Sequence, residues 1–181
     1  MLGWRIHDVE DYMRYSILAL VLVLTVGCGS YKSIELDDKW APLEQIHERP
    51  DMLGSATTAT TIGHTVYVES INRWLDDHPI DSPRFNATML HEQLHSVRQL
   101  DTGVTAWIAR YATDIDFMWA EEQLGWYLTL RELKRTGNQI NVLGVATTLH
   151  GYKNLLGHMV GTAEAITWVE DVLAGRWTPP N

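Results

Sequence analysis

In the run His91-Glu92-Gln93-Leu94-His95 two imidazoles stand four residues apart, and a carboxylate follows the first of them. On a helix of 3.6 residues per turn, side chains four apart project from one face, so both imidazoles can grip a single metal ion such as zinc. Glu92 is rotated about 100° around the axis from His91, which lets it reach a water at the metal without ligating the metal itself. That is the place of a general base. The competing reading is an exposed polar stretch of helix. Against it stand the apolar flanks Met89, Leu90, Leu94 and Val97, which a buried helix requires.

Catalytic zinc is usually held by three protein ligands, with one position left open. The chain has a single cysteine, Cys28, so a thiolate cage is excluded and a third ligand must be a His or a carboxylate. One scheme places it six residues after the second histidine, behind a glycine turn. Asp101 stands at that distance, but Arg98 and Gln99 occupy the place of the turn, so the helix should continue. The other scheme takes a carboxylate from a second helix. Glu122 fits it, because small Gly125 three residues later would let two helices approach closely. Glu121 is its rival, since adjacent helical residues point about 100° apart and their order along the chain does not say which faces inward.

The run His91 to Gln99, followed by a glutamate with Gly125 and Trp126 after it, resembles the gluzincin-type zinc metallopeptidases, particularly small bacterial and phage-encoded forms. The resemblance covers about residues 85 to 130. It implies that His91, His95 and Glu122 bind Zn2+ and that Glu92 is the base, in a zincin-like fold. Gly125 stands where that family usually has Ala.

A hydrolase of this kind also needs a group to stabilise the oxyanion. Tyr111, Tyr127, His150, Tyr152 and His158 each have suitable chemistry, and none is singled out by position. His47, His64 and His78 fall in loop or strand regions and read as ordinary. Trp107, Trp119, Trp126 and Trp168 recur at helical spacing and read most simply as core.

These residues need elements to position them. Ser82 followed by Pro83 is a helix start, and Gly103 a stop, giving a helix over about 83–100 that carries the His pair. A second helix is expected over about 114–135, with acidic residues in its first turn and basic ones in its last. Val104 to Tyr111 reads as a short connecting helix, Asn141 to His150 as a weaker one, and Ala163 to Ala174 as the last. Ile62 to Val68, with β-branched and aromatic residues in rough alternation, reads as one strand. Ser70 to Asp77 is a helical turn or the exit of that strand. Gly54 to Thr61 reads as loop, and only a short helix is expected near Leu43 to Glu48. The fold class is therefore mostly α (α+β), with the HExxH helix packed on a second, glutamate-bearing helix and a small β element before it.

With 181 residues and 45% apolar content the chain can bury one core. Its formal charge of -9 and the lack of any Lys/Arg cluster exclude nucleic-acid binding through a basic surface. Ile17 to Val26 is an apolar run about half the length of a membrane-spanning helix, so it resembles the core of a signal peptide. A start at Met13 gives it a short basic leader, and Thr25-Val26-Gly27-Cys28 resembles a bacterial lipoprotein cleavage box. An uncleaved signal anchor and a buried apolar segment are the other readings. The expected organisation is a membrane-targeting segment over 1–28, a tether and irregular segment over 29–50, and a metallopeptidase-like domain over 51–181 at the cell envelope. A peptide or protein is the expected substrate, cleaved at an amide bond. The alternatives are a non-catalytic envelope lipoprotein, binding metal structurally or not at all, and a zinc hydrolase of cell-wall peptides.

Overall fold

The computed structural model describes residues 31–49 and 59–180, so the expected leader and Cys28 lie outside the described residues. Among the described residues are six helices, a four-stranded sheet and a two-stranded ribbon, which makes the chain mostly α with a small sheet. No helix among them is long and apolar enough to cross a membrane.

The sheet comprises β1 (Ser33–Glu35), β2 (Gln45–Glu48), β3 (Ala59–Ile62) and β4 (Thr65–Val68) in the order β1-β2-β4-β3. β2 and β4 run parallel, and the outer pairs are antiparallel. Val66 and Val68, two residues apart on β4, both point into the core with Ile46 of β2, as the pleat requires. They pack with Trp40, Leu43, Ile71, Trp74, Phe85 and Met89.

Residues 33–48, expected as tether, irregular chain and a short helix near Leu43 to Glu48, instead supply β1, a 3-10 turn at Asp38–Trp40 and β2. One compact unit spans Lys32–Asn181 and so takes in residues before the expected boundary at 51. Four-residue strands carry little periodicity of their own, and β2 exists because its partner β4 lies 20 residues away in the chain. The run 62–68 is likewise a hairpin rather than one strand. Gly63 adopts φ 58 there, and Ile62 and Thr65 pair across the two-residue turn.

The helices are α1 (Ile71–Asp77), α2 (Pro83–Thr102), α3 (Val104–Thr113), α4 (Ile115–Arg135), α5 (Val142–Gly151) and α6 (Thr162–Ala174). Ser82 Oγ accepts from Phe85 N at 3.1 Å and starts α2, and Asp114 Oδ1 accepts from Phe117 N at 2.9 Å and starts α4. At Gly103 φ is 92, which breaks α2 from α3 without a gap in sequence. The 70–77 segment resolves as helix. A short ribbon, β5 (Lys153–Asn154) with β6 (Gly157–His158), was not expected and links α5 to α6. A second core joins α4, α5 and α6 through Met118, Leu130, Leu149, Val160, Trp168 and Val169. The flanks of the His pair divide: Met89 is fully buried, whereas Val97 is 40% exposed.

β3 is an edge strand, and α2 closes its outer side. Gln99 Nε2 donates to Thr61 O at 2.9 Å and its Oε1 accepts from Gly63 N at 2.8 Å, while Ser96 Oγ donates to Gly63 O at 2.6 Å. Both side chains are wholly buried. Gln99→Leu would leave a buried carbonyl and a buried N–H unpaired, and is expected to cost about 2–4 kcal/mol in urea unfolding. A loss below about 1 kcal/mol would mean that apolar packing alone holds this edge.

Candidate metal centre

α2 and α4 lie side by side, and between them His91, His95 and Glu122 converge. The Nε2 atoms of the two histidines are 2.9 Å apart. Glu122 Oε2 lies 3.5 Å from His91 Nε2, and its Oε1 lies 3.5 Å from His95 Nε2. Among the described residues this is the one cluster of three or more such side chains whose ligand atoms could hold a metal ion, all lying within 4.8 Å of one another. Ligands bonded at about 2.0–2.2 Å to a tetrahedral ion such as zinc sit roughly 3.3 Å apart, between the 2.9 and 3.5 Å separations here, so the cluster could hold such an ion.

The electrostatics point the same way. All three residues are buried, and Glu122 Oε2 has no hydrogen-bond partner, which a buried carboxylate tolerates only beside compensating positive charge. Burial pushes the Glu122 carboxyl up, but the imidazoles of His91 and His95 beside it outweigh this and hold the group well below the usual carboxylate range. Burial pulls His95 down, and Glu122, with the charges of Glu92 and Glu121, more than reverses this. The cluster could hold a metal ion, and two imidazoles and a carboxylate are a donor set that zinc accepts.

The rivalry between the two glutamates is decided by Arg98, one turn beyond His95 on α2. Its Nε donates to Glu121 Oε2 at 2.6 Å and its terminal nitrogen to Oε1 at 2.5 Å, so Glu121 is neutralised by a two-pronged ion pair. Glu122, the next residue around α4, faces the imidazoles. Asp101 is exposed on the uninterrupted helix and is not part of the cluster.

Gly125 explains how the helices come so close. A Cβ there would stand 2.6 Å from His91 Nε2 and 2.8 Å from Cε1, so even an alanine would collide with the ring. One turn further along α4, Thr129 Oγ1 lies 3.4 Å from His91 Nδ1. Glu122, Gly125 and Thr129 thus form one stripe, each residue set against the His pair. α3 closes another side: Trp107 stands edge-on to His95 at 5.5 Å and stacks on Tyr111 at 4.8 Å. Trp126 stands edge-on to His91 at 5.8 Å. Trp107 and Trp126 therefore wall the site, beyond the core role expected of them, whereas Trp119 and Trp168 pack together between α4 and α6.

Glu92 is buried beside the cluster without joining it, and its Oε2 accepts from Thr61 Oγ1 of β3 at 2.8 Å. Of the oxyanion candidates, Tyr111 donates to Glu122 Oε1 at 2.5 Å; burial and the Glu122 charge raise its pKa, so it keeps its proton. Tyr152 is raised by burial and then by the charges of Glu122 and Glu92. The other three are engaged away from the cluster. Tyr127 accepts from Arg131 and packs on Trp177, and His150 and His158 stack on each other. His47, His64 and His78 bond to Ser33, Pro42 and Trp74 and serve the fold. Thr61 and Thr129 were missed in the sequence. Thr129 had a legible signal, seven residues after Glu122 on the same helical face; Thr61 had none, because long-range pairing brings it to the site.

The purified protein is expected to carry about one zinc per chain by elemental analysis, to lose it in His95→Ala and Glu122→Gln, and to keep it in Glu121→Gln. Zinc retained by His95→Ala would reject the site. Gly125→Ala should displace the His91 ring and weaken zinc binding by roughly 10-fold or more in competition with a chelator. No protein-family model matches this chain, and neither a curated protein nor a solved structure shows significant similarity to it.

Proposed function

We propose that this chain is a zinc-dependent hydrolase of the gluzincin type, with a zincin-like arrangement of helices and sheet, that cleaves an amide bond in a peptide or protein. One observation carries the reading: a buried His-His-Glu cluster with a second buried carboxylate, Glu92, next to one of its members but outside it. A purely structural zinc is normally enclosed by four protein ligands, whereas three leave a position for substrate. A structural site also has no use for Glu92.

His91, His95 and Glu122 would hold the ion. Bound there, zinc would lower the pKa of a water molecule and polarise the substrate carbonyl. Glu92 takes the proton from the attacking water and passes it to the leaving amine, which requires its carboxylate to be ionised at the start of the cycle. Trp107 and Trp126 exclude bulk water from the imidazoles, which strengthens every charge interaction inside. Tyr111 holds Glu122 by one oxygen, and a proton on Tyr111 is what that bond needs. Attached through Cys28, the domain would act at the cell envelope on peptides or on the peptide part of the wall.

Glu92→Gln is expected to retain zinc and to lower hydrolysis of a peptide library by about 100-fold or more. Unchanged turnover would remove Glu92 from this role. A zinc-loaded wild-type protein that cleaves nothing in the library would instead favour a non-catalytic metal site.

A further inference from the structure

α2 presents two adjacent stripes to the rest of the molecule. His91, His95 and Arg98 face α4, where they meet Glu122 and Glu121. Glu92, Ser96 and Gln99, spaced four and three residues apart, face the β3–β4 hairpin. Every member of that second stripe is hydrogen-bonded to it: Glu92 to the Thr61 hydroxyl, Ser96 to the Gly63 carbonyl, and Gln99 to both the Thr61 carbonyl and the Gly63 N–H. All five of these residues are buried, with Thr61 6% exposed, Glu92 6%, and Ser96 and Gln99 0%.

We propose that Thr61 is a positioning residue for Glu92: its hydroxyl holds one carboxylate oxygen and leaves the other to accept the proton, while Gln99 bonds the Thr61 carbonyl and, with Ser96, the neighbouring Gly63 backbone, tying this strand end to the same helix that carries the His pair. The proposal rests on the hydrolase reading of the site. Its physical basis is the freedom of a glutamate side chain, whose rotatable bonds let the carboxylate wander unless something holds it. A general base must lie within hydrogen-bond reach of the proton it takes, so an unheld carboxylate is out of position for part of the time. The Thr61 bond is 2.8 Å long and buried. Its donor can rotate only about one torsion, on a strand whose outer edge is pinned at Thr61 and Gly63 by Gln99. Base and the two candidate histidine ligands therefore sit on one unit made of α2 and the hairpin bonded to it. Thr61 contributes no proton to the reaction and touches no reacting atom.

The test compares Thr61→Val, which keeps the shape and removes the hydroxyl, with Thr61→Ser, which keeps the hydroxyl. Both should carry zinc as the wild type does. With a peptide cleaved by the wild type, Thr61→Val should lower kcat by roughly 10- to 100-fold with KM unchanged, and Thr61→Ser should restore most of it. A residue that only supports the fold would not move kcat alone and would not be rescued by serine at full zinc content. A second readout is independent of turnover: Thr61→Val should lower the denaturation midpoint of the zinc-loaded protein in the wild-type background and leave it unmoved in a Glu92→Leu background, where the bond has no acceptor. Equal kcat in Thr61→Val and wild type, or an equal midpoint shift in both backgrounds, would overturn the proposal. If the midpoints couple as expected but the zinc-loaded wild type cleaves no peptide, it is the hydrolase reading that fails, and the positioning role falls with it.

Discussion

The closeness of α4 to α2 at Gly125 is the constraint on which the rest of the site depends. Nothing larger than a hydrogen fits between the α4 backbone and the His91 ring, so the two helix axes are held at a separation that a side chain would forbid. At that separation a short carboxylate such as Glu122 can meet both imidazoles, and Thr129 can reach the far side of the His91 ring.

Such packing gathers an unusual amount of charge. Glu92, Glu121 and Glu122 are all buried, although burial of an ionised carboxylate is costly unless it is paired. Each is compensated differently. Glu121 has the fork of Arg98, Glu92 has the Thr61 hydroxyl, and Glu122 has two imidazoles and the Tyr111 phenol, with one oxygen still unpartnered by any hydrogen bond. The first arrangement is closed and serves the helix pair. The last leaves an oxygen that could ligate a metal ion, and that difference separates a structural carboxylate from a candidate ligand one residue away.

The sheet has a modest place in the core and a larger one in the site. Its four short strands bury Ile46, Val66 and Val68 under α2, and its edge delivers Thr61 to Glu92. Gln99 and Ser96 replace the neighbouring strand that the β3 edge lacks at Thr61 and Gly63, satisfying backbone groups that would otherwise be buried unpaired. The β-sheet and the helix of the His pair are thereby one mechanical unit.

Much of this was written locally in the chain. The 83–102 helix follows from Ser82-Pro83 and Gly103, the His spacing follows from the helical repeat, and the 115–135 helix follows from its cap and its terminal charges; each depends on neighbours within a few residues. Composition alone excluded a thiolate cage and a basic nucleic-acid surface. What only the tertiary structure decided is whatever rests on contacts between distant segments. Residues 33–48 became strands because β4 and β1 pair with β2, and Thr61 reached Glu92 through that same sheet. Glu122 rather than Glu121 faces the imidazoles because Arg98 claims the other, a choice made by the rotation of α4 against α2. Periodicity tells which residues share a face of a helix, but the face that turns inward is set by the packing partner.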